Sequence, residues 1–431
     1  MKILFCYFNL NSPISYSFGV ASLSAILKSQ GYDVTVLHLN ERFIDKNEQV
    51  FNQLSDIDIL CLSAISSQQK YIIAFLKQLK TLNLPVITIV GGLLATFNPE
   101  AISNLCDYLV MGEAEITLPR LIKQIERGKQ SDNKIMQKFY PTLFNSSPMD
   151  MEAFDYDRII DMKRGWAEIM LSRGCPFECS YCFNQNIKKL FGQHNIRFKP
   201  IKMVIQEISN FRDLCPHLKV INFVDDNFTL NYDYLSLFLI EYTAKIGLPF
   251  LCATRSEFIN KKTMDLLSRH GCRLVRMGIE SGSDHLRAGE LNRHCTTESI
   301  LKAITLLKSY DIEIGLFNMI GIPGETEDDI RKTLELNAAI KPATSKRTIL
   351  LPFPGTSIYE RWKSDIDIDL LINQTNYNSC ESVFTFGKQW KEMINYYGAY
   401  WDKELSLLAG IKYDYRWEDS VVCREDYYGI A

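Results

Sequence analysis

Short apolar runs recur along this chain and alternate with amphipathic stretches, and that rhythm limits the folds open to it. A strand buried on both faces is a continuous apolar run, and such strands separated by helices belong to parallel α/β sheets. Up to about residue 128 the runs are Ile3-Leu4-Phe5-Cys6-Tyr7-Phe8, Val34-Thr35-Val36-Leu37, residues 57–62, Pro85-Val86-Ile87-Thr88-Ile89-Val90 and residues 107–110. Val20, Leu23, Ile26 and Leu27 fall at helical spacing before Gly31, which predicts a helix over 18–30. The expected fold is an open, doubly wound, Rossmann-like sheet. Ligands on such sheets sit beyond the carboxyl ends of the strands, a rim that here carries residues 9–16, 63–67, 91–96 and 111–115. No G-x-G-x-x-G follows the first run, which disfavours a nicotinamide or flavin dinucleotide.

The rhythm resumes further on. Strands are expected at 168–172, 220–224, 250–253, 274–278, 313–318 and 348–351, each followed by a helical pattern. Repeated βα units of this kind close into a whole or partial parallel barrel whose functional residues lie at strand carboxyl ends. The expected organisation is a first domain over 1–128, a turn-rich linker over 129–165, a barrel core over 166–360 and a mostly helical, aromatic-rich tail over 361–431. Within the tail a helix is expected over 388–408, stopped by Gly410. The formal net charge of −3 and the lack of a basic block argue against a nucleic-acid surface. No run approaches the length of a membrane span and no secretory leader is evident, so a cytoplasmic enzyme is expected.

Three of the 12 cysteines form the run Cys175-Pro176-Phe177-Glu178-Cys179-Ser180-Tyr181-Cys182, spaced C-x3-C-x2-C. Zinc would want a fourth ligand; no second cysteine pair follows Cys182, and His194 is a lone candidate. Three thiolates with nothing to close the set suit a four-iron cluster better, since one iron is left for a small molecule. The other cysteines are scattered, and Cys380 and Cys423 are too few for a second cluster. Polar residues gather where the barrel strands should end. Asp225-Asp226-Asn227 follows the second strand, and Asn231 is the better cap for the helix after it. Arg255 follows the third, a donor fork suited to a carboxylate or simply to a surface ion pair. Gly278-Ile279-Glu280-Ser281-Gly282 ends the fourth, Gly321-Ile322-Pro323-Gly324-Glu325-Thr326 the fifth, and Pro352-Phe353-Pro354-Gly355-Thr356 follows the sixth. Thr326 and Asp329 also fit a capping box.

With these motifs in this order, the chain resembles the radical S-adenosylmethionine superfamily. Phe18-Gly19-Val20-Ala21, Gly91-Gly92 and Gly112-Glu113-Ala114-Glu115 resemble the cobalamin-binding domain that precedes the radical domain in one subgroup. The resemblance implies a 4Fe-4S cluster on Cys175, Cys179 and Cys182, with Tyr181, in the family's aromatic position, among the residues that bind S-adenosylmethionine. It implies S-adenosylmethionine held at its amino group by Asp225, at its carboxylate by Arg255, at the ribose and methionine portion by Glu280 and Ser281, and at adenine by Gly321, Ile322, Pro323 and Gly324. It implies cobalamin at Ser63, Gly91, Gly92, Thr96, Gly112 and Glu113. No D-x-H-x-x-G is present, so no motif histidine is offered to cobalt, as is usual in the subgroup. Leu93-Leu94 stands where relatives often carry Pro-His. The implied activity is methyl transfer to an unactivated carbon or phosphorus through a 5′-deoxyadenosyl radical. Cyclisation, rearrangement or oxidation, with or without cobalamin, is the alternative. The implied partners are a small-molecule or natural-product-precursor substrate and an electron donor such as flavodoxin or ferredoxin.

Overall fold

The computed structural model describes residues 1–10, 13–39, 47–129, 134–136, 148–191, 196–374 and 381–413. Cys380, Cys423, His194 and most of both turn-rich stretches of the expected linker lie outside them, as do Tyr415, Trp417, Tyr427 and Tyr428. The chain divides into two compact units, Met1–Ile159 with Ile372–Asn376, and Ile160–Leu371 with Tyr377–Ala431.

The first unit is a six-stranded, all-parallel sheet of β1 (Lys2–Phe8), β2 (Asp33–Leu39), β3 (Ile59–Ser63), β4 (Ile87–Gly91), β5 (Tyr108–Met111) and β6 (Lys134–Met136), in the order β2-β1-β3-β4-β5-β6. Chain direction across the sheet reverses between β1 and β3, the position where doubly wound sheets open a ligand crevice. The helix Phe18–Ser29 forms where expected; the Ser17 hydroxyl accepts from the Val20 N–H at its start. Leu4, Cys6, Leu60, Leu62, Val90, Leu94 and Leu109 meet helix residues such as Phe75 and Leu76 in the core. Part of the stretch expected as linker is structured. Residues 134–136 add the edge strand, and Asp150 binds the helix Phe18–Ser29 through the Ser24 hydroxyl at 2.6 Å and Lys28 at 2.9 Å.

The second unit opens with β7 (Trp166–Ile169), after which a two-stranded antiparallel pair branches off, β8 (Ser172–Arg173) with β9 (Arg197–Phe198). Strand β7 forms a six-stranded parallel sheet with β10 (Val220–Phe223), β11 (Phe250–Thr254), β12 (Cys272–Glu280), β13 (Glu313–Ile320) and β14 (Thr344–Ile349). Spatial order follows chain order, which makes a half-barrel with helices on its outside. Helix starts are capped as the sequence suggests: Asn231 accepts from Tyr234 N–H, and Thr326 with Asp329 completes a capping box. Two strands are displaced from expectation. The first barrel strand ends at Ile169 because Leu171 and Ser172 turn aside to bind Asp225. The last is Thr344–Ile349 instead of 348–351: Ser345 in its polar half bonds Asn337 and Trp401 on the helix side, while Leu350 and Leu351 pack beyond its end.

The tail helix Lys388–Ala409 ends at Gly410 in the left-handed region, as expected. Ile394, Tyr397, Trp401 and Leu405 on it pack with Ile320, Ile330, Leu334 and Ile349 of the half-barrel. Its buried aromatic residues are therefore core, while Tyr396 and Tyr400 face solvent.

Candidate active site

The cluster loop runs between β8 and β9, and three segments of the chain fasten it. Asp225, at the end of β10, accepts from the Leu171 N–H at 3.1 Å and from the Ser172 N–H and hydroxyl at 2.6 and 2.5 Å. Asp226 accepts from the Asn184 side chain and the Gly174 N–H. The Ser180 hydroxyl donates to the Glu290 carbonyl at 2.5 Å, and the Asn292 amide to that of Glu178 at 2.7 Å. The Ser180 N–H in turn donates to the Leu291 carbonyl at 3.0 Å. Ile358 N–H donates to the Ser180 carbonyl at 3.0 Å, and Phe353 stacks on Phe183.

Each sulfur in this loop meets a donor. The Phe177 N–H points to Cys175, the Asn184 N–H to Cys182, and Arg255 Nη1 lies 3.4 Å from Cys179 Sγ. Hydrogen bonds to sulfur of this kind support cluster thiolates. Burial pushes the Cys175 thiol up to about 11 and that of Cys182 up to about 12, so metal charge is what would make them thiolates at neutral pH. Among the described residues no three His, Cys, Asp or Glu side chains gather on a single ion. A zinc ion needs its sulfurs about 2.3 Å from one centre, whereas a cluster holds its thiolates apart on separate irons. The three thiols and their donors fit the cluster.

The strand-end residues separate into those that face the cysteines and those with other partners. Glu280 has a positive φ of 62°, uncommon for a side-chain-bearing residue, at a register irregularity between β12 and β13. Gly278 leaves room for the Glu280 carboxylate, which any Cβ there would overlap. The Tyr181 hydroxyl donates to that carboxylate, and burial raises both groups above their ordinary values. Arg293 completes the cluster. Its charge acts on Tyr181, Glu280 and Cys179, one Nη donates to the Gly278 carbonyl at 2.5 Å, and its buried Nε has no partner. Sequence reasoning missed Arg293. It reaches the site because the segment after the helix Asp284–Ala288 folds back, with the Arg293 N–H donating to the Arg287 carbonyl at 2.7 Å. No spacing rule signals such a reversal.

Arg255 is held by Glu257 at 2.5 Å and lies 3.7 Å over the Phe177 ring. Ser281 is fully buried, its hydroxyl accepting from the Ser283 N–H. Gly321 and Ile322 donate their N–H groups to Glu325 at 2.6 and 3.2 Å. The Ile322 side chain shares an apolar cluster with Phe353 and Leu291, against which Tyr181 and Phe183 pack. Pro323 and Gly324 follow in the same turn; Trp390 of the tail donates to the Glu325 carbonyl at 2.9 Å.

In the first unit the candidate cobalamin residues meet at the ends of β3, β4 and β5. The Thr96 hydroxyl donates to the Gly92 carbonyl at 2.8 Å and accepts from the Gly112 N–H at 2.9 Å, which ties two of the three turns together. Gly92 has φ 95°, and a Cβ there would press 2.5 Å from the Ala64 carbonyl oxygen, so the turns can close only around glycine. Ser63 ends β3 beside Gly91, and Glu113 follows Gly112. The result is a rim of small residues and backbone suited to a flat macrocycle. The histidine of this unit, His38, is packed against Tyr7 and Phe154 and lies 3.3 Å from the Asn9 side-chain oxygen.

A model of the radical SAM superfamily matches residues 169–336, and one of the B12 binding domain matches residues 13–122. An uncharacterised methyltransferase of Pyrococcus horikoshii is 24% identical, over 88% of this chain and 84% of that protein. Bacteriochlorophyllide d C-12(1)-methyltransferase of Chlorobaculum tepidum is 25% identical, over 79% of this chain and 73% of that protein. Anaerobic magnesium-protoporphyrin IX monomethyl ester cyclase of Rubrivivax gelatinosus is 24% identical, over 85% and 71%. Among solved structures, the radical S-adenosylmethionine methyltransferase TsrM from Kitasatospora setae superposes with a TM-score of 0.70 at 16% identity, over 84% of this chain and 76% of that one. The shared fold extends over both units. The protein is thus a radical S-adenosylmethionine enzyme. In the chain a B12-binding domain precedes the radical SAM domain, and its cofactors are a 4Fe-4S cluster, S-adenosylmethionine and cobalamin.

Proposed function

We propose that this enzyme transfers a methyl group to an unactivated carbon or phosphorus of a small molecule. The observation that carries the reading is the presence, in one chain, of a cluster loop with a donor for every thiol and a cobalamin-binding domain. Relatives named as methyltransferases, aligned over most of the chain, support it. When bound, the cofactors supply one-electron cleavage of S-adenosylmethionine and the methyl group to be moved; the chain binds and orients them.

Cys175, Cys179 and Cys182 hold the cluster. Arg293, with its unpartnered Nε beside Tyr181 and Glu280, takes the methionine carboxylate, and Arg255 instead donates to Cys179. Glu280 faces the ribose and amino end, and Ile322 with Gly321, Pro323 and Gly324 backs the adenine. Asp225 is a positioning residue: its carboxylate is occupied by Leu171 and Ser172, and it acts on the cofactor by fixing the entry to the cluster loop. Ser63, Gly91, Gly92, Thr96, Gly112 and Glu113 line the corrin. A flavodoxin- or ferredoxin-type protein supplies the electron.

Cyclisation is the second reading, because a named cyclase aligns over 85% of this chain. Cells producing the enzyme or its Cys179→Ala variant, fed methionine labelled in the methyl group, separate the two. Methyl transfer predicts a small molecule carrying the label only with intact Cys179. A Cys179-dependent product without label would establish the cyclase-type reading instead.

A further inference from the structure

The two faces of the half-barrel sheet carry different polar groups. On the helix-covered face, Asn318 of β13 exchanges hydrogen bonds with Asn337 of the helix Glu327–Ile340, and Trp401 of the tail donates to Ser345 of β14. Alternation along the strands then places Phe317 and its register partner Lys346 on the opposite, concave face. Arg276 of β12 lies on that face too, since its Nη1 donates to Asn222 of β10 at 2.9 Å and its guanidinium lies 5.5 Å from the Trp166 ring. Below them Trp166, Val220, Leu251 and Leu274 form an apolar floor. Gly315, the register partner of Arg276, adds no side chain to this layer.

Two cations therefore sit above an apolar floor, inside the barrel. Their mutual influence is visible at Lys346, which burial, then Arg276 and Arg347, push down to about 8. Glu168 of β7, a carboxylate on the same face, stands beside Asn222 in register and holds Lys163 at 3.0 Å. Arg276 precedes Glu280 by four residues of the same strand, about 13 Å at ~3.3 Å per residue. A molecule bound here by one end reaches toward the Tyr181–Glu280–Arg293 group at the rim with the other.

We propose that Arg276 and Lys346 form an anion subsite that holds a carboxylate or phosphoryl group of the substrate and so points its far end at the radical site. The proposal rests on the methyltransferase reading only in calling the ligand a substrate; the anion binding itself does not.

The test is calorimetric titration of the anaerobically purified holoenzyme with inorganic phosphate and, separately, with succinate. Binding of at least one anion is expected, weakened tenfold or more by Lys346→Met, retained by Lys346→Arg and unchanged by Lys302→Met on the exposed outer helix. Reductive cleavage of S-adenosylmethionine should persist in Lys346→Met, which shows that the variant is folded. Preference for phosphate identifies a phosphoryl substituent, and preference for succinate a carboxylate. Absence of binding by both anions, or equal affinity in wild type and Lys346→Met, would overturn the proposal. Wild-type protein that binds an anion but never cleaves S-adenosylmethionine would instead overturn the enzymatic reading and leave the subsite standing.

Discussion

Arg293 and Arg287 lie six residues apart and show how differently two buried arginines serve one site. Arg287 is fully buried and donates to the Ser281 and Cys295 carbonyls, to Asp284 and to Thr297, so it staples the segment that follows Glu280. Arg293 keeps one donor unpartnered beside the cluster thiols. Arg293→Ala should therefore raise the KM for S-adenosylmethionine roughly 10- to 100-fold, the scale of one lost charge-assisted pair, while iron content stays unchanged. An unaltered KM would remove Arg293 from the cofactor site. Glu325 gives a pH signature. Burial holds its carboxyl up at about 8 against an ordinary 4.5. The folded chain keeps a proton that the unfolded chain releases, so this group favours the folded state fully below about 4.5 and loses that contribution as pH rises toward 8. Urea midpoints at pH 5 and pH 8 should differ less in Glu325→Gln than in the wild type. Parallel losses in the two proteins would contradict the assignment.

At the scale of elements, the tail helix is the part most open to test. Trp401 is 2% exposed and donates to Ser345. Trp401→Ala should cost about 3–5 kcal/mol, measured by chemical denaturation; a loss below about 1 kcal/mol would mean that the helix does not belong to the core of the second unit. What the sequence made legible here follows from chemistry that is local. Three thiols within one loop need no tertiary context, and caps such as Asn231 and the Thr326–Asp329 box are written in neighbouring residues. The strand ends were less visible. Thr344-Ser345-Lys346-Arg347 lacks an apolar pattern because one face meets Asn318, Asn337 and Trp401 and the other carries the cationic layer, and the apolar run begins only at Ile349-Leu350-Leu351. Asp225 and Arg255 were recognisable as polar groups at strand ends. Their partners, Leu171, Ser172, Glu257 and Cys179, were not, because hydrogen bonds across a fold leave no trace in spacing.

At the scale of the whole molecule, one construction serves both units: parallel strands alternate with helices, and chemistry collects at the strands' carboxyl ends. In the first unit the turns after β3, β4 and β5 are drawn together around Gly92 and Thr96. In the second, the end of β10 fixes the loop that carries the thiols, while β12 supplies Glu280 at its end and the segment after it supplies Arg293. No helix among the described residues is long and apolar enough to cross a membrane. Cluster and corrin belong to one chain, and its metal content should show both. Protein made in cobalamin-supplied cells and purified without oxygen should carry about four iron atoms and about one cobalt per chain, with iron lost and cobalt kept in Cys179→Ala. Iron without cobalt would contradict a cobalamin-dependent reaction, and zinc in place of iron would contradict the radical chemistry altogether.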